Sequence, residues 1–330
     1  MRGITCIDGK LSLEKLPDPT PKTGEILVEV AAIGVNRADL LQRKGKYPPP
    51  PGASPLLGLE VAGTVAQTGE TVSHFQEGDR VMCLLAGGGY AEKVTVDASL
   101  AMPIPSNLSF EEAAAIPEAF LTGYQALFQI GELTPGQWVL IHAAGSGVGT
   151  AAIQLASEGG ARSIGTTRSR DKLEKCLALG AEGMVHPKEG KFANQVAEVT
   201  ENHGADLILD FVGASYFDEN FQALAQGGAI LCISTLGGHI QEKFDLRLLM
   251  KKWGTLSGTT LRSRPLTYKA KLVEEFSHFA LDRFEKKKLR PIISDSFPWE
   301  EVEKAHSLLE KGEAFGKVVL RTSQIPSSLL

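Results

Sequence analysis

Over roughly the first 120 residues, apolar positions come in short runs set apart by turn signals, the pattern of successive strands. The runs cover 26–30, 61–66, 80–84 and 92–96, divided notably by Tyr47-Pro48-Pro49-Pro50-Pro51-Gly52 and Gly87-Gly88-Gly89. This spacing predicts a small barrel-like β domain. The pattern changes at Ser109, which precedes Glu111, Glu112 and an alanine-rich run, a helix start. A longer helical stretch is predicted over 122–130.

From Trp138 strands and helices alternate strictly. Strands are predicted at 138–142, 163–167, 184–186, 207–212 and 230–234, and helices at 150–158, 171–179, 192–201 and 216–225. Such alternation predicts a parallel sheet covered on both faces, made doubly wound by right-handed crossovers. A helix is predicted over 269–286, then strand, helix and strand over 291–294, 299–311 and 317–321. The last strand lies too far along the chain to extend the dinucleotide unit by pattern alone.

Composition narrows the class. A chain of 330 residues suits two domains, and 43% hydrophobic with 22% charged residues can bury a sizeable core. The net charge of −5 disfavours a nucleic-acid partner, and the basic run Lys286, Lys287, Lys288 and Arg290 reads as a solvated helix end. Cys6, Cys83, Cys176 and Cys232 are far apart with no C-x-x-C pair, which excludes a four-cysteine zinc lobe and suits free thiols in a reducing cytoplasm. No apolar run follows the start of the chain, no stretch approaches the ~18 apolar residues of a membrane span, and the terminal Ser328-Leu329-Leu330 lacks the basic residue of a peroxisomal signal.

The strongest chemical signal is the strand entering Gly145-Ser146-Gly147-Val148-Gly149-Thr150 and opening a helix. Glycines let the backbone approach a pyrophosphate, and the helix start offers free amides and a positive dipole end. Thr150 stands where the dinucleotide fingerprint wants a small residue, and a purely structural turn is the bland alternative. At the end of the second strand, where NAD-preferring folds carry an acid, the chain reads Thr167-Arg168-Ser169-Arg170-Asp171-Lys172. Arg168, Ser169, Arg170 and Lys172 are candidates for a 2′-phosphate, which points to NADPH. The bland reading leaves some of these cations as solvated helix-start residues, with Asp171 a first-turn acid.

The chain resembles the medium-chain dehydrogenase/reductase superfamily, and within it the zeta-crystallin-like NADPH:quinone oxidoreductases, most closely the tumour-suppressor-inducible branch. Carrying the resemblance are Val35-Asn36-Arg37-Ala38-Asp39-Leu40, Pro49-Pro50-Pro51-Gly52, Gly58-Leu59-Glu60-Val61-Ala62-Gly63, Ala115-Ile116-Pro117-Glu118-Ala119, Leu121-Thr122, the glycine turn, Leu261-Arg262-Ser263-Arg264 and Gly316-Lys317-Val318-Val319. The resemblance implies an α/β protein with a GroES-like β domain over 1–120, completed by 265–330, and a doubly wound Rossmann NADPH-binding domain over 121–264. It also implies a homodimer or homotetramer, with nicotinamide and substrate meeting between the domains.

Residue by residue, it implies that Asn36 and Tyr47 line the substrate site and that Thr122 meets the nicotinamide side. Ser146, Gly147 and Val148 are implied at the pyrophosphate, Ser169 and Lys172 at the 2′-phosphate, and Val212 and Gly213 near the ribose. Leu236 and Gly237 are implied at the carboxamide end, Leu261 beside the nicotinamide, and Lys317 near the cofactor. Arg168 and His186 depart from the family's usual Gly and Tyr, and His186 can still donate to the phosphate. The bland readings make Tyr47 the cap of a Pro-rich loop, Asn36 a turn residue bonding its own backbone and Lys317 a surface charge. Glu60 is expected to be structural and paired with Arg37, and His142 to be a satisfied core histidine.

The zinc-dependent branch of the same superfamily carries a Cys and a Gly-His-Glu motif where this chain has Asn36-Arg37 and Gly58-Leu59-Glu60, so no metal is expected. The activity implied is zinc-independent transfer of hydride or electrons from NADPH to quinones such as ortho-quinones. The competing readings are an NADPH-dependent alkenal or enone reductase, which only a choice of substrate separates from it, and a non-catalytic NADPH-binding protein, crystallin-like or RNA-binding, which would hold the cofactor without oxidising it.

Overall fold

The computed structural model describes residues 1–322; Ser328-Leu329-Leu330 lie outside the described residues. The chain divides into two compact units, one built from Met1–Leu121 together with the chain from Leu261 onward, the other from Thr122–Thr260.

The first unit opens with a hairpin of β1 (Arg2–Ile7) and β2 (Lys10–Lys15), turned by Asp8 and Gly9, both at positive φ. Asp-Gly is the pair that a two-residue hairpin turn favours, yet the flanking strands are mostly half-exposed and show little apolar alternation. There follow β3 (Glu25–Val35), α1 (Arg37–Arg43), β4 (Glu60–Thr68), β5 (Arg80–Leu84), β6 (Lys93–Asp97) and β7 (Ala101–Pro103). Then come α2 (Phe110–Ala114) and α3 (Pro117–Tyr124). Ser109 caps α2, its Oγ accepting from the Glu112 amide while Glu112 returns to the Ser109 amide.

The middle of the chain supplies β8 (Trp138–Ile141), α4 (Gly147–Glu158), β9 (Arg162–Thr166), α5 (Leu173–Leu177), β10 (Gly183–Val185) and α6 (Ala193–Val199). After these come β11 (Ala205–Asp210), α7 (Phe217–Ala223), β12 (Leu224–Cys232), α8 (Leu246–Lys252) and β13 (Thr255–Gly258). The last described elements are α9 (Leu266–Glu285), β14 (Ile293–Pro298), α10 (Val302–Lys311) and β15 (Lys317–Arg321).

In the first unit the sheet order is β14-β15-β3-β4-β5-β7, with β6 also on β3. The last strand pairs antiparallel with β3, from Val318 against Val35 to Arg321 against Ala32. Nearly every residue of β3 is buried, because it is flanked along its length by β4, β6 and β15. In the second unit β10-β9-β8-β11-β12-β13 form a wholly parallel sheet. Its central strands β8 (Trp-Val-Leu-Ile) and β11 (Leu-Ile-Leu at its heart) read as continuous apolar runs, as strands covered on both faces do. Leu140, Ile164, Ile208 and Ile230 on the strands pack with Phe192, Val196 and Phe221 into one core. The two-unit α/β architecture, a GroES-like β unit and a Rossmann unit, follows the sequence expectation.

Four helical stretches differ from the pattern reading, the one expected over 299–311 opening as a 3-10 turn (Trp299–Glu301) before α10. The stretch at 122–130 is the end of α3 followed by a π-helical turn over Gln125–Ile130. The helix expected over 171–179 is a 3-10 turn (Arg170–Lys172) leading into the short α5. The helix expected over 216–225 stops at Ala223, where the chain passes directly into β12.

Candidate cofactor turn and buried polar cluster

The glycine turn stands at the C-terminal end of β8, where ligands bind in open parallel sheets. Ser146 is the N-cap of α4 and its Oγ accepts from the Gly149 amide at 3.1 Å. The first-turn amides of Gly147 and Val148 have no carbonyl to bond within the helix, and both residues are half-exposed. A Cβ on Gly149 would lie 2.6 Å from the Ala143 carbonyl oxygen, so only glycine lets the helix start so close beneath the turn. Thr150 fits where a small residue was expected because its hydroxyl turns inward and donates to the Gly147 carbonyl at 3.0 Å. The turn is thus a cradle with open donors, and it fits a pyrophosphate.

Beyond β9, Arg168 is exposed, Ser169 half-exposed and Lys172 buried. The end of β10 lies alongside, and His186 Nδ1 bonds the Thr167 carbonyl at 3.0 Å, so these four residues share one corner of the sheet. Ser169 Oγ donates to Asp171 at 2.9 Å, and the Asp171 carboxyl is held below the usual range by its own backbone amide first and by this bond second. A 2′-phosphate that takes the Ser169 hydroxyl must therefore win it from Asp171.

The turns after β11 and β12 are clasped together. The Gly237 amide donates to the Val212 carbonyl at 2.7 Å, the Leu236 amide to Phe211 at 3.2 Å, and the Ala214 amide to Gly238 at 3.0 Å. Gly213 has φ +82°, and a Cβ there would meet the Gly238 carbonyl oxygen at 2.5 Å. Val212, Gly213, Leu236 and Gly237 are accordingly one double turn. Thr122 is buried in α3 and begins this unit, whereas the buried Leu261 belongs to the other.

In the first unit a charged cluster is sealed inside. Lys317 is 4% exposed and its Nζ donates to the Val35 carbonyl at 2.8 Å and to Asn36 Oδ1 at 2.6 Å, and pairs with Glu60 Oε1 at 2.6 Å. Asn36 Nδ2 donates to Glu60 Oε1 at 2.8 Å and to the Gly34 carbonyl at 3.2 Å. Glu60 Oε2 accepts the Glu118 amide at 2.8 Å. Every donor of Lys317 and of the Asn36 amide is committed, so the structure gives Lys317 the task of neutralising Glu60 and anchoring Asn36 from within. The expected Glu60–Arg37 pair does not form. Arg37 is exposed and donates to the Leu309 and Glu310 carbonyls, being directed outward as the first residue of α1.

Sequence reasoning assigned no role to four neighbours. Asp39 is buried, Oδ2 accepting the Asn36 amide at 2.7 Å and Oδ1 that of Gly58 at 3.1 Å, and burial raises its carboxyl to about 6. The spacing Asn36-x-x-Asp39 at a helix start was the available signal. Burial pushes the Glu118 carboxyl up to about 8, with Glu60 adding to the shift, and its buried Oε2 has no partner among the described residues. Arg262, 4% exposed, donates to the Ala86 carbonyl at 2.8 Å, to Gln42 Oε1 at 2.7 Å and to the Tyr47 carbonyl at 3.3 Å, and stands 5.3 Å from the Tyr47 ring. It fixes Tyr47, whose phenol is raised by burial first and by Glu118 second. His306 is buried against Tyr90, Nε2 to the phenol oxygen at 2.9 Å, and burial lowers it to about 4.

Two family models match the chain, an alcohol dehydrogenase GroES-like domain over residues 22–106 and a zinc-binding dehydrogenase over residues 147–278. The second name implies zinc, and the residues present do not fit it. Both Glu60 oxygens are engaged, an ammonium already balances the charge, and among the described residues no three His, Cys, Asp or Glu side chains are grouped to hold a metal. The chain is 32% identical over 328 residues to a quinone oxidoreductase-like protein 2 homolog of Nematostella vectensis, covering 96% of this chain and 86% of that one. It is also 32% identical over 307 residues to a quinone oxidoreductase of Lama guanicoe, covering 92% and 90%.

Similar solved structures include an NAD-dependent alcohol dehydrogenase (33% identity, 97% and 99% of the two chains, TM-score 0.86). A mycobacterial protein complexed with NADPH (31%, 97% and 99%, 0.83) and the CurK enoyl reductase (27%, 97% and 99%, 0.85) share the architecture. The chain belongs to the medium-chain dehydrogenase/reductase superfamily, among its quinone oxidoreductase-like members.

Proposed function

We propose that this chain is a zinc-independent NADPH:quinone oxidoreductase that works in the cytoplasm as a homodimer. The observation that carries the reading is the pairing of an open pyrophosphate cradle after β8 with a corner after β9 that holds Arg168, Ser169, Lys172 and His186 and lacks an acid at the strand end. Asp171, the first acid beyond it, is turned to Ser169. Bound there, NADPH supplies the hydride or electrons, and the protein's part is alignment and exclusion of water.

In this reading Ser146, Gly147 and Val148 take the pyrophosphate, Val212 and Gly213 the ribose, Leu236 and Gly237 the carboxamide end, and Thr122 the nicotinamide side. Tyr47 orients a substrate carbonyl, because its phenol makes no hydrogen bond among the described residues while Arg262 fixes its backbone. Asn36 and Lys317 serve by rigidity rather than by donation, since their hydrogens are spent. A quinone is already electron-poor and needs no Lewis acid, which suits a site whose residues do not fit zinc.

The dimer rests on an open sheet edge. Strand β13 pairs only with β12 among the described residues, and Ile240, Leu246, Met250 and Trp253 lie exposed in the same stretch of chain. Among the described residues no helix is long and apolar enough to cross a membrane.

The test follows NADPH absorbance with and without 1,2-naphthoquinone, beside an NADH control. Oxidation that requires both NADPH and quinone supports cofactor and substrate together. NADPH binding without oxidation by any quinone removes the quinone reading; turnover of an enal instead would then establish the reductase of conjugated double bonds.

A further inference from the structure

Beneath the three turns of the second unit runs one buried chain of side chains. Asp210 ends β11, and its Oδ1 accepts the amides of Val212 at 2.7 Å and Gly213 at 2.9 Å. Its Oδ2 accepts Asn220 Nδ2 of α7 at 3.1 Å. Asn220 Oδ1 faces His142 Nε2 at 2.7 Å, and His142 Nδ1 faces Thr166 Oγ1, the last residue of β9, at 2.9 Å. All four side chains are buried, none more than 2% exposed.

The donors can be assigned in one consistent way. Asn220 gives its NH₂ to the carboxylate, so its oxygen faces the imidazole, and His142 must carry its hydrogen on Nε2. Nδ1 is then the acceptor for the Thr166 hydroxyl. Burial lowers the His142 pKa, in keeping with the neutral tautomer, while Asp210 opposes the shift. Phe192 and Tyr216 stand edge-on to the imidazole at 4.9 and 5.0 Å and hold the ring plane.

The ends of this chain matter more than its middle. At one end is the turn whose Gly213 adopts φ +82° and whose neighbour Val212 takes the Gly237 amide. At the other is the strand end from which Thr167, Arg168 and Ser169 depart. The imidazole itself directly precedes Ala143, held at φ +47° as the glycine turn begins. A core histidine needs only one satisfied partner on each nitrogen; here one partner, Thr166, ends the strand from which Arg168 and Ser169 depart, and the other, Asn220 of α7, passes the link on to Asp210 and so to the Val212–Gly213 turn.

We propose that Thr166, His142, Asn220 and Asp210 are positioning residues that hold the Val212–Gly213 turn in register with the 2′-phosphate corner, so that one rigid crest carries both the corner that takes the 2′-phosphate of NADPH and the turn assigned to its ribose. The inference rests on the NADPH reading above. It concerns affinity for the cofactor, not chemistry at the substrate.

The experiment compares the full-length wild type with Asp210→Asn, the reciprocal swap Asp210→Asn/Asn220→Asp, and Thr166→Val. Asp210→Asn sets two NH₂ groups against each other. The swap restores a donor–acceptor pair, keeps an oxygen for the two amides and leaves a carboxylate to accept from His142. NADPH binding is titrated by fluorescence, thermal midpoints are recorded, and KM for NADPH is separated from kcat. Asp210→Asn is expected to weaken NADPH binding about tenfold, the swap to recover most of that loss, and Thr166→Val to raise KM for NADPH about threefold with kcat kept. Wild-type affinity in Asp210→Asn overturns the proposal, as does a folded swap that binds no better than the single variant. If Asp210→Asn does not fold, an unchanged KM for NADPH in Thr166→Val overturns it. A wild type that binds no NADPH at all defeats the cofactor reading itself, and this inference with it, in the first arm.

Discussion

The two units handle buried polarity in opposite ways. In the β unit, Lys317 and the Asn36 amide spend every donor on Glu60, on each other and on the backbone, and these side chains have no hydrogen left to give a ligand. In the parallel-sheet unit the buried groups Asp210, Asn220 and His142 are equally satisfied, but they hold up a rim where the amides of Gly147 and Val148 and the exposed Arg168 remain open. Saturation marks a scaffold, and open donors supported by saturated ones mark a binding site.

The sharpest break is Lys317→Met. It leaves Glu60 buried without its cation and should cost about 3–5 kcal/mol of stability, measured by urea unfolding, with much of the loss recovered when Glu60→Gln is added. If the single variant is as stable as the wild type, the cluster is not the scaffold described.

Next in size is the pH response of Glu118. Its folded carboxyl is raised from 4.5 to about 8, so between those values the native state holds a proton that the unfolded chain has released. The group therefore lowers stability progressively as pH rises from about 4.5 to about 8, by on the order of a few kcal/mol, and adds no slope beyond. Glu118→Gln should flatten that fall, and unfolding curves taken across this range will show whether the two proteins diverge on the alkaline side.

A smaller effect, confined to the open site, is expected from Gly149→Ala. The new Cβ presses on the Ala143 carbonyl and should cost about 1–3 kcal/mol, with weakened NADPH binding. Smallest is Arg168→Ala, which should leave stability unchanged and reduce the NADPH-over-NADH preference about tenfold. An unaltered preference would assign the discrimination to Lys172 and His186 instead.

The sequence exposed what depends on period and lost what depends on distant partners. The alternation of strands and helices after Trp138 located every strand from β8 to β12, with the apolar runs of β8 and β11 as its strongest marks. Arg80–Leu84 and Lys317–Arg321 were bounded to the residue. Strand β13 and helix α8 were not seen. Among the large apolar residues of that stretch Leu246, Met250 and Trp253 are exposed, and no buried stripe announces the helix. The glycine turn and the cationic corner were legible as types of residue in order. The partner of Glu60 was not, since adjacency suggested Arg37 whereas the fold brings Lys317 from the end of the chain. Asp210 was invisible for the same reason, its meaning lying in amides two and three residues on and in an asparagine on another element.

That late arrival of β15 bears on how the chain is made. During synthesis the parallel-sheet unit emerges whole and can close on the ribosome, whereas the β unit must keep β3 open and Glu60 uncompensated until Lys317–Arg321 has been translated. For most of its elongation the nascent protein therefore carries an unfinished sheet, the interval in which a chaperone has most to protect and a premature stop near the end would do most harm.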